Sequence, residues 1–194
     1  MKKLYMLLSS LIIAVILVGC NSTADYKSNV QNVADEILEN SVKVEEILDE
    51  YSNVWKYSIE SRGAIPVSEM ALQTGLDEDT IKEYFIINSI GNIPDDFSLN
   101  VFSMKSYFEE SGELGKIEDK AKEIKDKISE LNNPPKGYEK VYDELLDMYT
   151  FSEEYLEMAL NPSGSLQSFN EDKNRLSSDI LSQHKRVEAT MPND

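Results

Sequence analysis

A lone cysteine and a lone histidine limit what the side chains of this sequence can do. Cys20 is the only thiol and His184 the only imidazole. A cysteine nucleophile, a thiolate–histidine metal site or a Ser-His-Asp triad would each have to use one of these two residues. His184 stands beside Lys185 and Arg186 near the end of a helical pattern, where a cationic or partly charged imidazole complements the helix dipole. No Gly-x-Ser-x-Gly elbow accompanies it. The acidic doublets Glu45-Glu46, Glu109-Glu110 and Glu153-Glu154 carry the right groups for glycoside hydrolysis or calcium ligation. Glycosidase carboxylates, however, need a set separation inside a cleft. Asp77-Glu78-Asp79 lacks the glycine and the spaced ligands of a calcium loop. Solvated helix faces account for these runs. The expectation is a non-enzymatic chain with no catalytic residue, no metal site and no cofactor.

Two other patterns are candidates for binding. From Pro66 to Ile81, Ala71, Gly75 and Ile81 match helix-turn-helix spacing, and Asp77 can cap the second helix. The stretch either forms such a pair or matches its spacing by coincidence. It does not read DNA: the second helix begins Asp-Glu-Asp, and Ala64 to Ile90 holds one lysine against five acids. The second pattern is aromatic. Among ten Tyr and six Phe, the set Tyr84, Phe85, Phe97, Phe102, Tyr107 and Phe108 clusters in the irregular part of the chain and at its edge. Aromatics at helical spacing usually form core, but irregular segments are where recognition tends to sit. These six residues are the candidate partner surface.

The elements that must hold these residues are helical. Val30, Val33, Ile37, Val44, Ile47, Tyr51 and Val54 recur at steps of three, four and seven, with Asn40 interrupting the row. Leu38, Leu48 and Trp55 widen the stripe. With no Pro or Gly between Thr23 and Arg62, this predicts one helix of about 35 residues, about 50 Å long, ended by Gly63. Residues 64–100 are punctuated by Pro66, Gly75, Gly91 and Pro94 and read as an irregular helical insert. A helix from about Phe102 to Leu131, broken near Gly112 and Gly115, follows. The next runs from about Pro135 to Leu160, with Tyr138, Val141, Tyr142, Leu145, Met148, Tyr149, Tyr155, Leu156 and Ala159 inward or partly inward. The last carries Phe169, Leu176, Ile180 and Val187 on one side, and Ser168 with Glu171 fits a capping box at its start. No strand-period pattern of useful length occurs. The fold class is all-α: an elongated antiparallel helical bundle, residues 29–194, with a short irregular helical insert at 64–100.

Residues 1–19 differ from the rest. Lys2 and Lys3 precede an apolar run from Leu4 to Val18, the layout of a cleaved secretory signal and too short for a stable spanning helix. Leu17-Val18-Gly19-Cys20 resembles the lipobox of bacterial lipoproteins. That resemblance implies cleavage before Cys20, a diacylglyceryl group on its sulfur, and an extracytoplasmic protein anchored to the cell membrane. Two acyl chains hold a protein stably where one does not, and lipidation would consume the only thiol. Removing 19 residues, two of them lysines, from a 194-residue chain of charge −17 leaves 175 residues of charge −19. A body so acidic repels nucleic acid and anionic headgroups and favours a cationic or neutral partner. Residues 20–28 read as lipidated Cys and polar tether.

The lipobox, the first helix through Val54-Trp55, Asn133-Pro134-Pro135-Lys136-Gly137-Tyr138-Glu139 and Asn161-Pro162-Ser163-Gly164-Ser165-Leu166 together resemble a group of small helical lipoproteins of Gram-positive bacteria. The similarity covers about two thirds of the mature chain and is poorest over 64–100. It implies a fold and a location, with no activity attached. A helical pair displayed outside the membrane also resembles prophage-encoded superinfection-exclusion lipoproteins. The expected function is therefore a lipid-anchored interaction module with a protein or cell-envelope partner. An exclusion or immunity role is the alternative, and an envelope-acting enzyme is the least favoured reading.

Overall fold

A computed structural model of the chain describes residues 2–192, with side chains from Thr23 onward. The elements are α1 (Lys2–Glu60), β1 (Ile65–Pro66), α2 (Val67–Thr74), α3 (Glu78–Tyr84), β2 (Asn92–Ile93), α4 (Phe97–Glu110), α5 (Glu113–Glu130), α6 (Glu139–Leu160) and α7 (Leu166–Thr190). The architecture is the expected all-α antiparallel bundle with a helical insert.

Cross-chain contacts fix the direction of each column. The end of α1 meets the start of α4 through Trp55 and Phe97, whose ring centroids are 5.5 Å apart. The end of α5 returns to the start of the described side chains, where the Tyr26 hydroxyl donates to the Leu131 carbonyl at 2.9 Å. Thus α4 and α5 together run antiparallel to α1. Tyr138, just before α6, packs edge-on against Tyr26 at 5.4 Å, and the Tyr51 hydroxyl bonds the Ala159 carbonyl near the end of α6, at 3.2 Å. α6 therefore runs parallel to α1. α7 starts beside Trp55 through Phe169 and ends where Lys27 Nζ donates to the Pro192 carbonyl at 3.3 Å. The result is an up-down-up-down four-column bundle with α1 as the shared wall.

Its core is the apolar periodicity made solid. Val30, Val33, Ile37, Val44, Ile47, Leu48, Tyr51, Val54 and Trp55 are all buried on α1. Of the residues expected inward on the last two helices, Tyr142, Tyr149 and Leu156 are partly buried against the core and the others are buried. The insert docks on the bundle: Ile65, Met70, Ile81 and Ile93 are fully buried. β1 and β2 pair antiparallel, Ile65 opposite Ile93, in a two-residue ladder too short to leave a period-2 signature. At the top of the bundle, Asn100 Nδ2 donates to Ser58 Oγ and to the Pro94 carbonyl, each at 2.9 Å, tying α4, α1 and the insert together.

Several boundaries differ from expectation. The stretch expected as a tether, 20–28, is part of α1, and Tyr26 within it is core, because its ring continues the row of Val30 and Val33 one turn further. α1 stops at Glu60 rather than at Gly63. Arg62 (φ 45°) already turns the chain, and Gly63 (φ 145°) completes the reversal. The helix expected from Phe102 begins at Phe97, capped by Asp96, whose carboxylate accepts from the Ser98 and Leu99 amides. It breaks at Gly112 (φ 77°), while Gly115 stays helical inside α5. α6 starts at Glu139 rather than Pro135, since Gly137 (φ 94°) lies outside helical space. The capping box of α7 is Ser165 with Ser168, one turn earlier than Ser168 with Glu171: each serine side chain bonds the other's backbone N–H at 3.1 Å.

Candidate functional site

The six residues of the candidate partner surface do not act as one surface. Phe85, at the end of α3, and Phe108 on α4 are core, 3% and 5% exposed. Phe108 packs at 5.9 Å against Tyr51. Short helices need buried anchors of their own, and these rings supply them. Tyr84 and Tyr107 are half-buried and meet edge-to-face at 5.5 Å, with the Tyr84 hydroxyl donating to Glu110 at 3.1 Å. Their contact latches α3 onto α4. Only Phe97 and Phe102 remain as large exposed rings.

These two line one open groove of about 540 Å³ between the end of α1, the start of α4 and the α6–α7 turn. Phe97, Val101 and Lys105 follow one another at four-residue steps along α4, and Phe102 stands on the more exposed side of that row. Trp55, almost wholly buried, forms the floor. It stacks on Phe97 with planes 10° apart and is backed by Phe169 at 5.6 Å. The far wall is Leu160 and the turn Asn161-Pro162-Ser163-Gly164. Phe102 is 62% exposed, so its ring stands into the opening with little support of its own. Lys105 is the groove's one charge and is held by Glu109 at 2.8 Å. A rigid aromatic floor, a free aromatic side and a proline-containing rim suit an apolar or aromatic anchor from a partner. Trp55 and the turn were legible as sequence motifs. Their convergence with α4 was not, because it is set by the column order.

The groups with chemical potential are committed elsewhere. His184 is buried, and its Nε2 lies 2.8 Å from Asp35 Oδ1 on α1, with Nδ1 4.0 Å from Glu188. Its role is thus a cross-helix pair rather than a helix-end charge alone. Glu45 accepts from Ser177 Oγ at 3.3 Å, Glu153 from the Tyr149 hydroxyl at 2.6 Å, and Glu154 lies 3.9 Å from Arg175. Asp77 caps α3 as expected, accepting from the Asp79 and Thr80 amides at 3.0 and 2.9 Å. Those hydrogen bonds hold its carboxyl below the usual range. With Gly75 left-handed in the turn (φ 69°), α2 and α3 do form a helical pair. Among the described residues no group of three or more His, Cys, Asp or Glu is placed to hold a metal ion, and no helix is long and apolar enough to cross a membrane. Leu17, Val18, Gly19 and Cys20 lie outside the residues whose side chains are described. No family model, curated protein or solved structure matches this chain.

Proposed function

We propose that the chain is a lipid-anchored protein of the extracytoplasmic face of a cell membrane, and that it works as a non-enzymatic interaction module through the groove of Trp55, Phe97 and Phe102. The observation that carries the reading is Phe102, an exposed phenyl ring on the edge of a preformed aromatic floor. Position supports it. At 1.5 Å per residue, Trp55 lies about 44 Å along α1 from Tyr26, so an anchor at Cys20 presents the groove at the end away from the bilayer. Without residues 1–19 the net charge of −17 becomes −19, which favours a cationic or neutral partner over anionic lipid.

The test has two arms. In a Gram-positive host, radiolabelled palmitate is expected to enter the wild-type chain and not Cys20→Ser, which is expected to leave the membrane fraction. A photo-crosslinking side chain at position 102 is expected to trap a discrete species that the same group at exposed Asp126 on α5 does not trap. Identical crosslinks from both positions would remove the groove from the argument, and equal labelling would remove the anchor.

A second reading is an exclusion or immunity lipoprotein that meets a membrane channel or phage protein. The capped α2–α3 pair at the same distal end favours it. Expression in a phage-sensitive strain would then block genome injection while adsorption stays unchanged.

A further inference from the structure

The apolar side chains that the fold leaves outside are gathered at one end. Nine large hydrophobics are exposed among the described residues, and all except Val42 and Leu181 fall between Ile59 and Phe102. Scattered single residues of this kind are ordinary on a protein surface, whereas a concentration rimmed by charge marks a contact site. The same segment, Ile59 to Phe102, holds eight acids against two cations, Arg62 and Lys82, a formal charge of −6. Lys82 pairs with Glu78 and Asp79. The other six acids of the segment make no ion pair among the described residues. The contrast is α5, which sets five lysines among six acids.

Part of this surface is the lip of the aromatic groove. Asp95 and Asp96 lead straight into Phe97, which stacks on Trp55. Ile59, half exposed, stands one helical turn beyond Trp55, and Glu60 follows it. Leu99 and Phe102 are three positions apart on α4, so their exposed side chains are neighbours. Asn100 fixes the arrangement by donating to Ser58 Oγ and to the Pro94 carbonyl, which holds the lip against the end of α1. Asp96 accepts from the Ser98 and Leu99 amides as the cap of α4 and keeps its charge.

Charge decides what can cover this end. It repels nucleic acid and anionic lipid. A second copy in a two-fold pairing would bring the same acids face to face. An uncharged apolar segment would fill the groove and leave the neighbouring carboxylates stripped of water without a partner. A helix whose apolar stripe is flanked by Lys and Arg meets both demands. We infer, on the reading of the groove as the interaction site, that the distal end of the bundle docks a basic amphipathic helix of a protein partner. Its apolar stripe lies along Ile59, Phe97 and Phe102, and its cationic side chains meet Glu60, Asp95 and Asp96.

The test uses the full chain in nonionic detergent with benzoyl-phenylalanine at position 102. The probes are three peptides of about 18 residues, or about five helical turns. Each carries leucine on one face, with lysine, glutamine or glutamate on the other. The same photo-reactive group at exposed Asp126 on α5 reports what the micelle alone delivers. The Leu/Lys peptide is expected to crosslink saturably at 102, with half-saturation about tenfold below that of the Leu/Gln peptide. The Leu/Glu peptide is expected not to crosslink. Combining Glu60→Gln, Asp95→Asn and Asp96→Asn is expected to raise the Leu/Lys half-saturation about tenfold, the effect of three surface charge pairs. Asparagine caps a helix as well as aspartate does, so the triple variant keeps the start of α4. Circular dichroism checks its folding, and the peptide comparison on the wild-type surface stands without it. Leu/Lys capture that is no stronger at 102 than at 126, that Leu/Gln matches, or that the folded triple variant leaves unchanged overturns the inference. A chain-to-chain crosslink from 102 that excludes the peptides also overturns it and gives this end to a second copy. A discrete cellular crosslink at 102 beside any of these results leaves the groove as the interaction site, and the absence of both removes the groove as well.

Discussion

The Tyr26 hydroxyl donates to the Leu131 carbonyl at 2.9 Å across 105 residues, while its ring packs edge-on against Tyr138. One side chain thereby closes the base of the bundle, joining α1 to the last carbonyls of α5 and to the turn before α6. Leu131 is where α5 ends, so the bond also satisfies a helix-terminal carbonyl that has no partner within the helix. Only five residues separate Tyr26 from Cys20. An anchor at Cys20 would therefore hold the bundle close to its membrane rather than on a long leash.

Removing the hydroxyl should expose that arrangement. Tyr26→Phe is expected to cost about 1 kcal/mol, the net worth of a buried hydrogen bond, and Tyr26→Ala about 3 kcal/mol as the ring is lost too. Urea unfolding followed by circular dichroism measures both. Values for both variants within about 0.3 kcal/mol of wild type would mean that the base of the bundle opens there and that 20–28 behaves as a loose tether.

The aromatic groove separates into a structural and an exposed part. Trp55 is buried between Phe97 and Phe169, so Trp55→Ala is expected to lose about 3–5 kcal/mol. Phe102 is mostly exposed, so Phe102→Ala should stay within about 0.5 kcal/mol of wild type. Any loss of partner crosslinking in the Phe102 variant then reports on recognition. A large stability loss from Phe102→Ala would show instead that its ring packs as core.

Glu36 ties α1 to α5 through Lys127 at 2.5 Å and Lys120 at 3.2 Å. Burial works to raise its carboxyl, but the hydrogen bonds and charges of the two lysines together outweigh that and hold it below the ordinary range. A depressed carboxyl adds stability that is present above its unfolded value and lost as pH falls through the folded one. Glu36→Gln is therefore expected to cost up to about 1 kcal/mol at pH 7. The deficit should shrink in high salt and vanish in strong acid. A deficit that is flat from pH 7 to pH 2 would assign the effect to packing.

Much of this fold can be read from the row of α1, because a 3.6-residue period sustained over thirty residues specifies one long helix and the face it buries. The inward faces of α6 and α7 follow for the same reason. What the sequence conceals is anything decided by distant partners. Asn100 and Ser58, 42 positions apart, form one buried knot, yet each alone reads as a surface residue. Asn40 looks like a flaw in the stripe until Ile117, 77 positions on, is seen to accept from it. The aromatic set misled in the opposite way. Phe85 and Phe108 lie in or beside the irregular insert but serve as its anchors, and the groove takes its floor from Trp55, which belongs to the regular part of the row.

Glu50 offers the sharpest contrast with Glu36. It too is a carboxylate on α1, but among the described residues no lysine pairs with it, and one of its oxygens is buried without a partner. Burial, reinforced by Asp49, raises its carboxyl. For a raised acid the sign reverses: its contribution is fully present below the unfolded value and is lost as pH rises through the folded one. At pH 7 the ionised group therefore weighs against the fold. The other charges bordering it, Lys43, Glu46, Glu113 and Lys116, keep their places in the variant, so replacing Glu50 isolates its own charge. Glu50→Gln is expected to melt above wild type at pH 7, with the gap closing as pH falls through the raised folded value and the wild-type carboxyl takes up its proton. A Gln variant that melts lower at every pH would mean that the Glu50 charge is satisfied in the folded protein.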